Sequence, residues 1–247
     1  MNILITGYRG FIGRNLIDIF NKLDKDINYL LYDKNNSEDE LKKMCGECDM
    51  VFHLAAVVRP DHPSDYCLNT NVTGKLLFFL KEQMNNSPII FASSIQADLD
   101  NPYAECKRTE EKLIFDYGYQ NKIKTYVFRF PNLFGKYSKA NYTSVISTFC
   151  YNTLHKFPIT VNDPSAIINF AYIHDVLDTV LNIVFFDKTN YGCKAIPIKD
   201  CYPVGLGELA YYMQTLKNGT APDIHRNDSF YEKLKLTYEW FSEQPMN

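Results

Sequence analysis

Through the first 130 residues, short apolar runs alternate with stretches whose apolar side chains recur every three or four positions. Asn2 to Thr6, Tyr29 to Tyr32, Asp49 to Leu54, Ile89 to Ala92 and Lys124 to Phe130 read as buried strands. Between them, Phe11 to Asn21 puts Ile12, Leu16, Ile17 and Phe20 on one helical face, and Val72 to Met84 and Tyr103 to Tyr117 read as further helices. This alternation predicts an α/β fold, a Rossmann-type doubly wound parallel sheet. After about residue 136 the rhythm breaks. Ser144 to Leu154 and Ile173 to Phe186 still look helical, the second through Ile173, Val176, Leu177, Val180, Leu181 and Val184. Leu206 to Leu216 and Phe230 to Phe241 give weaker helical patterns. One unit is expected, with residues 1–135 mainly the doubly wound part and 136–247 mainly a small C-terminal cap. Residues 158–186 are expected to return in part to the first.

Composition narrows the classes further. A chain of 247 residues buries roughly 70% of its unfolded surface, enough for a sizeable core. Lys and Arg number 26 against 29 Asp and Glu, a net charge of −3, so nothing marks a nucleic-acid polymer or an anionic membrane as partner. No run approaches the ~18 apolar residues of a spanning helix, and MNILITGYRG lacks a basic leader. The expected location is cytoplasmic. Seven cysteines do not form a disulfide framework. Cys45 and Cys48 make a lone C-x-x-C without the second pair a zinc site needs, and read as two thiols at the end of a helix. No metal is expected. Aromatics are abundant, with 17 Phe, 18 Tyr and 1 Trp.

The sharpest local signal is Thr6-Gly7-Tyr8-Arg9-Gly10-Phe11-Ile12-Gly13, placed between a strand and a helix. In that context Gly7 permits the tight turn, Gly10 lets a pyrophosphate approach the backbone, and Gly13 packs helix on strand. The helix N-terminus then faces the phosphates. Asp33, at the end of the second strand, is placed to accept hydrogen bonds from ribose hydroxyls and to repel a 2′-phosphate, which favours NADH. Arg9 and Lys34 are cations able to reach a 2′-phosphate, so the cofactor choice stays open. The first part therefore reads as dinucleotide-binding, and the cap as substrate-binding.

Tyr103 and Lys107 lie four apart on one helical face, behind Asn101 as N-cap and Pro102 as first helical residue. An ammonium beside a phenol lowers the phenol's pKa toward neutrality, where it can protonate a carbonyl oxygen. Ser94, at the end of the preceding strand, is placed to hydrogen-bond that oxygen.

Together these segments resemble the extended short-chain dehydrogenase/reductase family over nearly the whole chain. His53-Leu54-Ala55-Ala56 is similar to its H-x-A-A segment under the nicotinamide ribose, and Asn71-Val72-Thr73-Gly74 to its N-V-x-G segment. Arg129-Phe130-Pro131-Asn132-Leu133-Phe134-Gly135 is similar to R-x-x-N-x-x-G, and Tyr172 to Val176 to Y-V-x-D-V. The resemblance implies Ser94, Tyr103 and Lys107 as the catalytic triad, with Asn71 holding a relay water. It implies cofactor contacts from Gly7 to Gly13, Asp33, Lys34, Leu54, Ala55, Ala56, Lys107 and Pro131. Substrate contacts are implied at Arg59, Ser94, Ile95, Gln96, Tyr103, Asn132, Asn141 and Tyr142. Asn169 stands where relatives carry a phosphate-contacting arginine.

Within the family, the 4,6-dehydratase branch needs an Asp-Glu pair after the strand serine, and the GDP-fucose synthase branch a cysteine. Ile95 and Gln96 stand there instead. Pro131 to Lys136 and Ala140 to Asn152 look like the capsular reductases of a UDP-2-acetamido-2,6-dideoxy-L-hexulose. That branch implies NADPH- or NADH-dependent reduction of a UDP-linked 4-keto-6-deoxy-L-aminosugar, giving a talosamine- or rhamnosamine-type product for glycan biosynthesis. Asp33 favours NADH and the branch favours NADPH. Relatives imply a homodimer, and a cupin domain that epimerises C3. The chain ends near where that cupin would begin, so C3 epimerisation is expected from a separate partner or another part of a longer protein. A 4-epimerase with tightly held NAD and a catalytically silent nucleotide-binding module stay open as alternatives.

Overall fold

The computed structural model describes residues 1–23, 26–189, 191–222 and 229–245, apart from the side chain of Cys67. The chain runs β1 (Asn2–Thr6), α1 (Phe11–Phe20), β2 (Asn28–Tyr32), α2 (Glu38–Glu47), β3 (Met50–His53), α3 (Cys67–Glu82), β4 (Ile89–Ser94), α4 (Pro102–Asn121) and β5 (Lys124–Phe130). It continues through β6 (Asn132–Phe134), α5 (Val145–Leu154), β7 (Ile167–Tyr172), α6 (Ile173–Phe186), β8 (Gly192–Pro197), β9 (Tyr202–Gly205), α7 (Leu206–Asn218) and α8 (Ser229–Ser242).

The chain divides into two compact units, residues 1–130 with 178–198, and residues 131–177 with 199–247. These bounds differ from the expected ones at two places. The crossing after β5 comes at Pro131 and not after 135, and the returning segment is 178–198, carrying β8, and not 158–186. The cause is that β8 extends the first sheet, pairing Lys124 to Arg129 with Gly192 to Pro197.

The first unit holds a six-stranded sheet in the order β2-β1-β3-β4-β5-β8, every pairing parallel. This is the α/β doubly wound architecture. Its order reverses at β1, which has β2 on one side and β3 on the other, and the carboxyl end of strands at such a reversal is where doubly wound sheets bind ligands. The strands are short and apolar because both faces are covered. On one face Leu4, Val51, Phe91 and Val127 meet Leu41, Leu76, Leu80 and Ile114 of α2, α3 and α4. Successive strand residues point to opposite faces, so Phe52 faces the other way, where it meets Phe20 of α1 edge to face at 5.7 Å. Tyr126, Phe128 and Phe130 stack along β5.

The apolar pattern gives no clear view of α2, because only Leu41 and Cys45 are buried, with Met44 half-buried beside them. Its start is nevertheless fixed by a capping box, with Ser37 accepting from the Glu40 N–H and the Glu40 carboxylate from the Ser37 N–H. Cys45 and Cys48 are buried at the helix end, and burial pushes their thiols up to about 12 and about 11, which disfavours a redox thiolate.

The second unit holds a three-stranded sheet, β6 parallel to β7 and β7 antiparallel to β9. Here the aromatic surplus finds its place. Phe230 of α8 packs against Phe134, Phe170, Tyr202 and Tyr212, with Phe149, Met213 and Leu234 around them. Among the described residues no helix is long and apolar enough to cross a membrane, and no group of three or more His, Cys, Asp or Glu could hold a metal ion.

Candidate active site

The turn after β1 is built to admit something at its surface. Gly7 has φ +72°, and a Cβ there would lie 2.7 Å from backbone atoms of Ala55. At Gly13 a Cβ would meet Tyr8 Cα at 2.6 Å, so α1 presses directly on the turn. Gly10 caps α1 and, having no side chain, leaves the first-turn N–H groups without a side-chain acceptor. The result is a bare helix N-terminus carrying partial positive charge, the arrangement that receives phosphates. Phe11 and Ile12 open that helix.

Asp33 follows β2 and ion-pairs with Arg9 at 2.8 Å, and Arg9 also donates to the Tyr8 hydroxyl. The Arg9 guanidinium is 65% exposed while the Asp33 carboxylate is largely covered. Lys34 borders this pair in sequence. Beneath the turn, the Thr6 hydroxyl accepts from the N–H groups of Leu54 and Ala55, which ties the end of β3 to the loop; Ala56 follows, exposed.

The proposed triad comes together in this first unit. Ser94 ends β4 and caps a short 3-10 turn, its hydroxyl accepting from the Gln96 N–H. Asn101 caps α4 by accepting from the Ala104 N–H, and Pro102 occupies the first helical turn. That start sets Tyr103 and Lys107 in phase, with the Lys107 ammonium 6.0 Å from the Tyr103 ring centre and 4.8 Å from the Phe91 ring centre. The Tyr66 ring flanks Tyr103 at 5.5 Å.

One electrostatic expectation is corrected here. The Tyr103 phenol lies above its ordinary value and not near neutrality, chiefly because it is buried. Lys107 and the Ser94 hydroxyl pull it down, but the carboxylate of Glu110 opposes them. That carboxylate sits 3.0 Å from the Lys107 ammonium, both side chains being buried.

A second correction concerns the asparagine of α3. Asn71 is on the exposed face of the helix, and the inward position belongs to Asn69, which clamps the loop after β3 by accepting from the Val57 N–H and donating to its carbonyl. Helical phase explains this: Asn69, Thr73, Leu76 and Leu80 share the buried face.

Arg129 anchors the serine loop. It forks onto Glu111 through Nε and Nη2 and reaches Asp98 through Nη1, while Ser93 donates to the same Glu111 carboxylate. Ser93 therefore holds α4 against β4, and Ser94 alone of the pair borders Tyr103. Ile95 and Gln96 are exposed beyond it. Arg59 is exposed in the loop after β3. Pro131, Asn132, Asn141 and Tyr142 belong to the second unit; Pro131 is buried, Asn132 donates to the Asn169 carbonyl, and Asn141 holds a left-handed turn at φ +55°. Glu110, Glu111, Thr73 and Asn69 are the residues that sequence reasoning passed over.

The UDP-2-acetamido-2,6-beta-L-arabino-hexul-4-ose reductase of Pseudomonas aeruginosa is 33% identical over 88% of this chain and 58% of its own. The capsular polysaccharide assembling protein CapF of Staphylococcus aureus superposes with TM-score 0.85 and 32% identity, over 99% of this chain and 66% of that one. UDP-glucuronic acid decarboxylase 6 of Arabidopsis thaliana is 27% identical over 91% of this chain and 76% of its own. The chain thus spans about three-fifths of the first of these and two-thirds of the second. Residues 3–189 match the NAD dependent epimerase/dehydratase family, and the chain belongs to that family.

Proposed function

We propose that the protein reduces the 4-keto group of a UDP-linked 6-deoxy-(N-acetylamino)-L-sugar, with NADH or NADPH as reductant, to a UDP-6-deoxy-L-hexosamine. The observation that carries this is the pairing of Ser94, Tyr103 and Lys107 with Ile95 and Gln96 after the serine. Neither neighbour can remove a proton from a sugar carbon, so hydrogen transfer at a carbonyl is the chemistry these residues supply, and the reading takes it in the reducing direction. The named activity of the Pseudomonas relative supports the choice of substrate.

The chemistry a bound nicotinamide supplies is a hydride to the carbonyl carbon. This chain's part is the proton. Ser94 orients the keto oxygen, and the Tyr103 phenol donates its proton to that oxygen as negative charge develops there. Lys107 holds the nicotinamide ribose. Gly7 to Gly13, Asp33, Leu54, Ala55 and Ala56 are the groups that fit the dinucleotide, by the bare helix N-terminus and the closeness of Gly7 to Ala55. Arg59 is assigned to the sugar nucleotide. Consumption of reduced nicotinamide that depends on the 4-keto sugar tests this; no consumption with any 4-keto nucleotide sugar would refute it.

The Arg9–Asp33 pair gives both cofactors a partner. Asp33 accepts from the ribose hydroxyls of NADH, and the exposed Arg9 guanidinium pairs with a 2′-phosphate. Asp33→Asn is expected to raise NADPH affinity relative to NADH by about tenfold, and Arg9→Ala to do the reverse. Equal effects on both cofactors in a fluorescence titration would contradict this division.

A homodimer through α3 and α4 completes the proposal. Leu76, Leu77 and Leu80 are core residues, whereas Phe78 (62% exposed) and Leu68 (49%) form the outward face of α3. Sedimentation is expected to give a dimer that Phe78→Glu converts to monomer; a monomeric parent at high concentration would count against it.

A further inference from the structure

A chain of buried polar groups leads away from Lys107, and its hydrogen-bond directions are fixed by elimination. The Thr73 hydroxyl lies 2.8 Å from Glu110 Oε1 and 3.1 Å from the Asn69 carbonyl. A carboxylate and a carbonyl only accept. Whichever takes the single Thr73 hydrogen, His53 Nε2, also 2.8 Å from that oxygen, must donate to it. His53 Nδ1 therefore accepts, from Thr6 Oγ1 at 2.7 Å. Thr6 Oγ1 in turn accepts from the Leu54 and Ala55 N–H groups. Burial and the Lys107 charge push the His53 imidazole down to about 3, so the ring is neutral and one tautomer satisfies every contact. At the other end Lys107 donates to Glu110 Oε2 at 3.0 Å and to the Ala92 carbonyl at 3.3 Å, which uses two of its three N–H bonds.

We propose that Glu110 is a positioning residue for the Tyr103–Lys107 pair: its buried carboxylate fixes the Lys107 ammonium and sets how strongly that charge acts on the phenol, and through Thr73, His53 and Thr6 it ties the pair to the backbone beneath the glycine turn. The inference rests on the reductase reading only for the direction in which Tyr103 passes its proton. Other groups face the same place. Cys106 Sγ lies 3.8 Å from Glu110 Oε2 and 3.1 Å from the Tyr66 carbonyl, Thr70 contacts that sulfur, and Tyr66 and Ser94 border the phenol from α3's approach and from β4. Among these Lys107 is the cation and Glu110 the carboxylate that faces it, so removing the Glu110 charge leaves the ammonium uncompensated next to Tyr103.

The test reads the phenol without substrate. Tyrosine carrying 13C at Cζ, with the Tyr103 resonance identified by its loss in Tyr103→Phe, follows ionisation against pH. Glu110→Gln is expected to lower the Tyr103 midpoint by about one pH unit. It should keep the fold, because glutamine can accept from Lys107 and donate to Thr73, whose hydrogen then goes to the Asn69 carbonyl. Thr73→Val cuts the link to His53 but keeps the carboxylate on Lys107, so it should lower Tm and leave the Tyr103 midpoint in place. If Glu110→Gln does not fold, Glu110→Asp, which draws the carboxylate back by one methylene, should move the midpoint the same way by less. An unmoved midpoint in Glu110→Gln, or an equal shift in Thr73→Val, overturns the assignment. A shift as expected in a protein that reduces no 4-keto sugar would refute the reductase reading and leave the role of Glu110 standing.

Discussion

Tyr103→Phe is expected to lower kcat by about a thousandfold while leaving cofactor and nucleotide-sugar affinities within a few-fold of the parent. A positioned general acid contributes roughly 10²–10⁴ to a rate, and the substitution removes the phenol hydroxyl, with its acidic hydrogen and its hydrogen bond to Ser94, and keeps the ring. The phenyl ring keeps the contact with Tyr66 and the distance from the Lys107 ammonium. Because burial and Glu110 hold the phenol above its ordinary value, the acid form persists through neutral pH. Reduction by the parent should therefore be flat across neutrality and fall only as the pH rises past the phenol's titration. Single-turnover rates with titrated binding check both halves. Retained turnover in the variant would remove Tyr103 from the mechanism.

Gly7→Ala should have the largest effect on cofactor binding. Two costs add. An L-residue at φ +72° costs about 1–2 kcal/mol, and the new methyl would lie 2.7 Å from the Ala55 backbone, which cannot swing aside like a side chain. Either the turn or the end of β3 must shift, and both border the helix N-terminus. A loss of NAD(H) affinity on the order of a hundredfold is expected, since 1.4 kcal/mol is tenfold. Isothermal titration reads it directly, and unchanged affinity would show that the dinucleotide lies elsewhere.

Strands β1 to β5 of the first unit were legible because a parallel sheet covered on both faces needs short, continuous apolar runs, and Asn2–Thr6 and Lys124–Phe130 coincide with the expected spans. The helix over Glu38–Glu47 escaped periodicity because Leu41, Met44 and Cys45 alone of its residues pack on the core, too few to show a helical repeat, although Ser37 and Glu40 carried its start signal. The strands β6, β7 and β9 are three to six residues long and take their apolar partners from the second unit's aromatic cluster, and β8 is a half-exposed edge strand of the first sheet, so no local pattern marks them. The triad and glycine turn were visible as spacings along one strand or helix. The Lys107–Glu110–Thr73–His53–Thr6 chain joins four elements, and sequence does not say that of two adjacent glutamates Glu110 turns to Lys107 and Glu111 to Arg129. Helical phase would have separated Asn69 from Asn71, since Asn69 is in step with Thr73, Leu76 and Leu80.

The central claim is that one hydride and one proton are added across a C4 carbonyl and remain there. Incubation of the UDP-4-keto-6-deoxy-aminosugar with NADH or NADPH deuterated at the transferable position, followed by NMR of the sugar, tests it most directly. The account predicts stoichiometric oxidation of the cofactor, deuterium at C4 of a UDP-6-deoxy-hexosamine, and none of this product with Tyr103→Phe. Interconversion of 4-epimers with no net cofactor oxidation and no deuterium at C4 would contradict it.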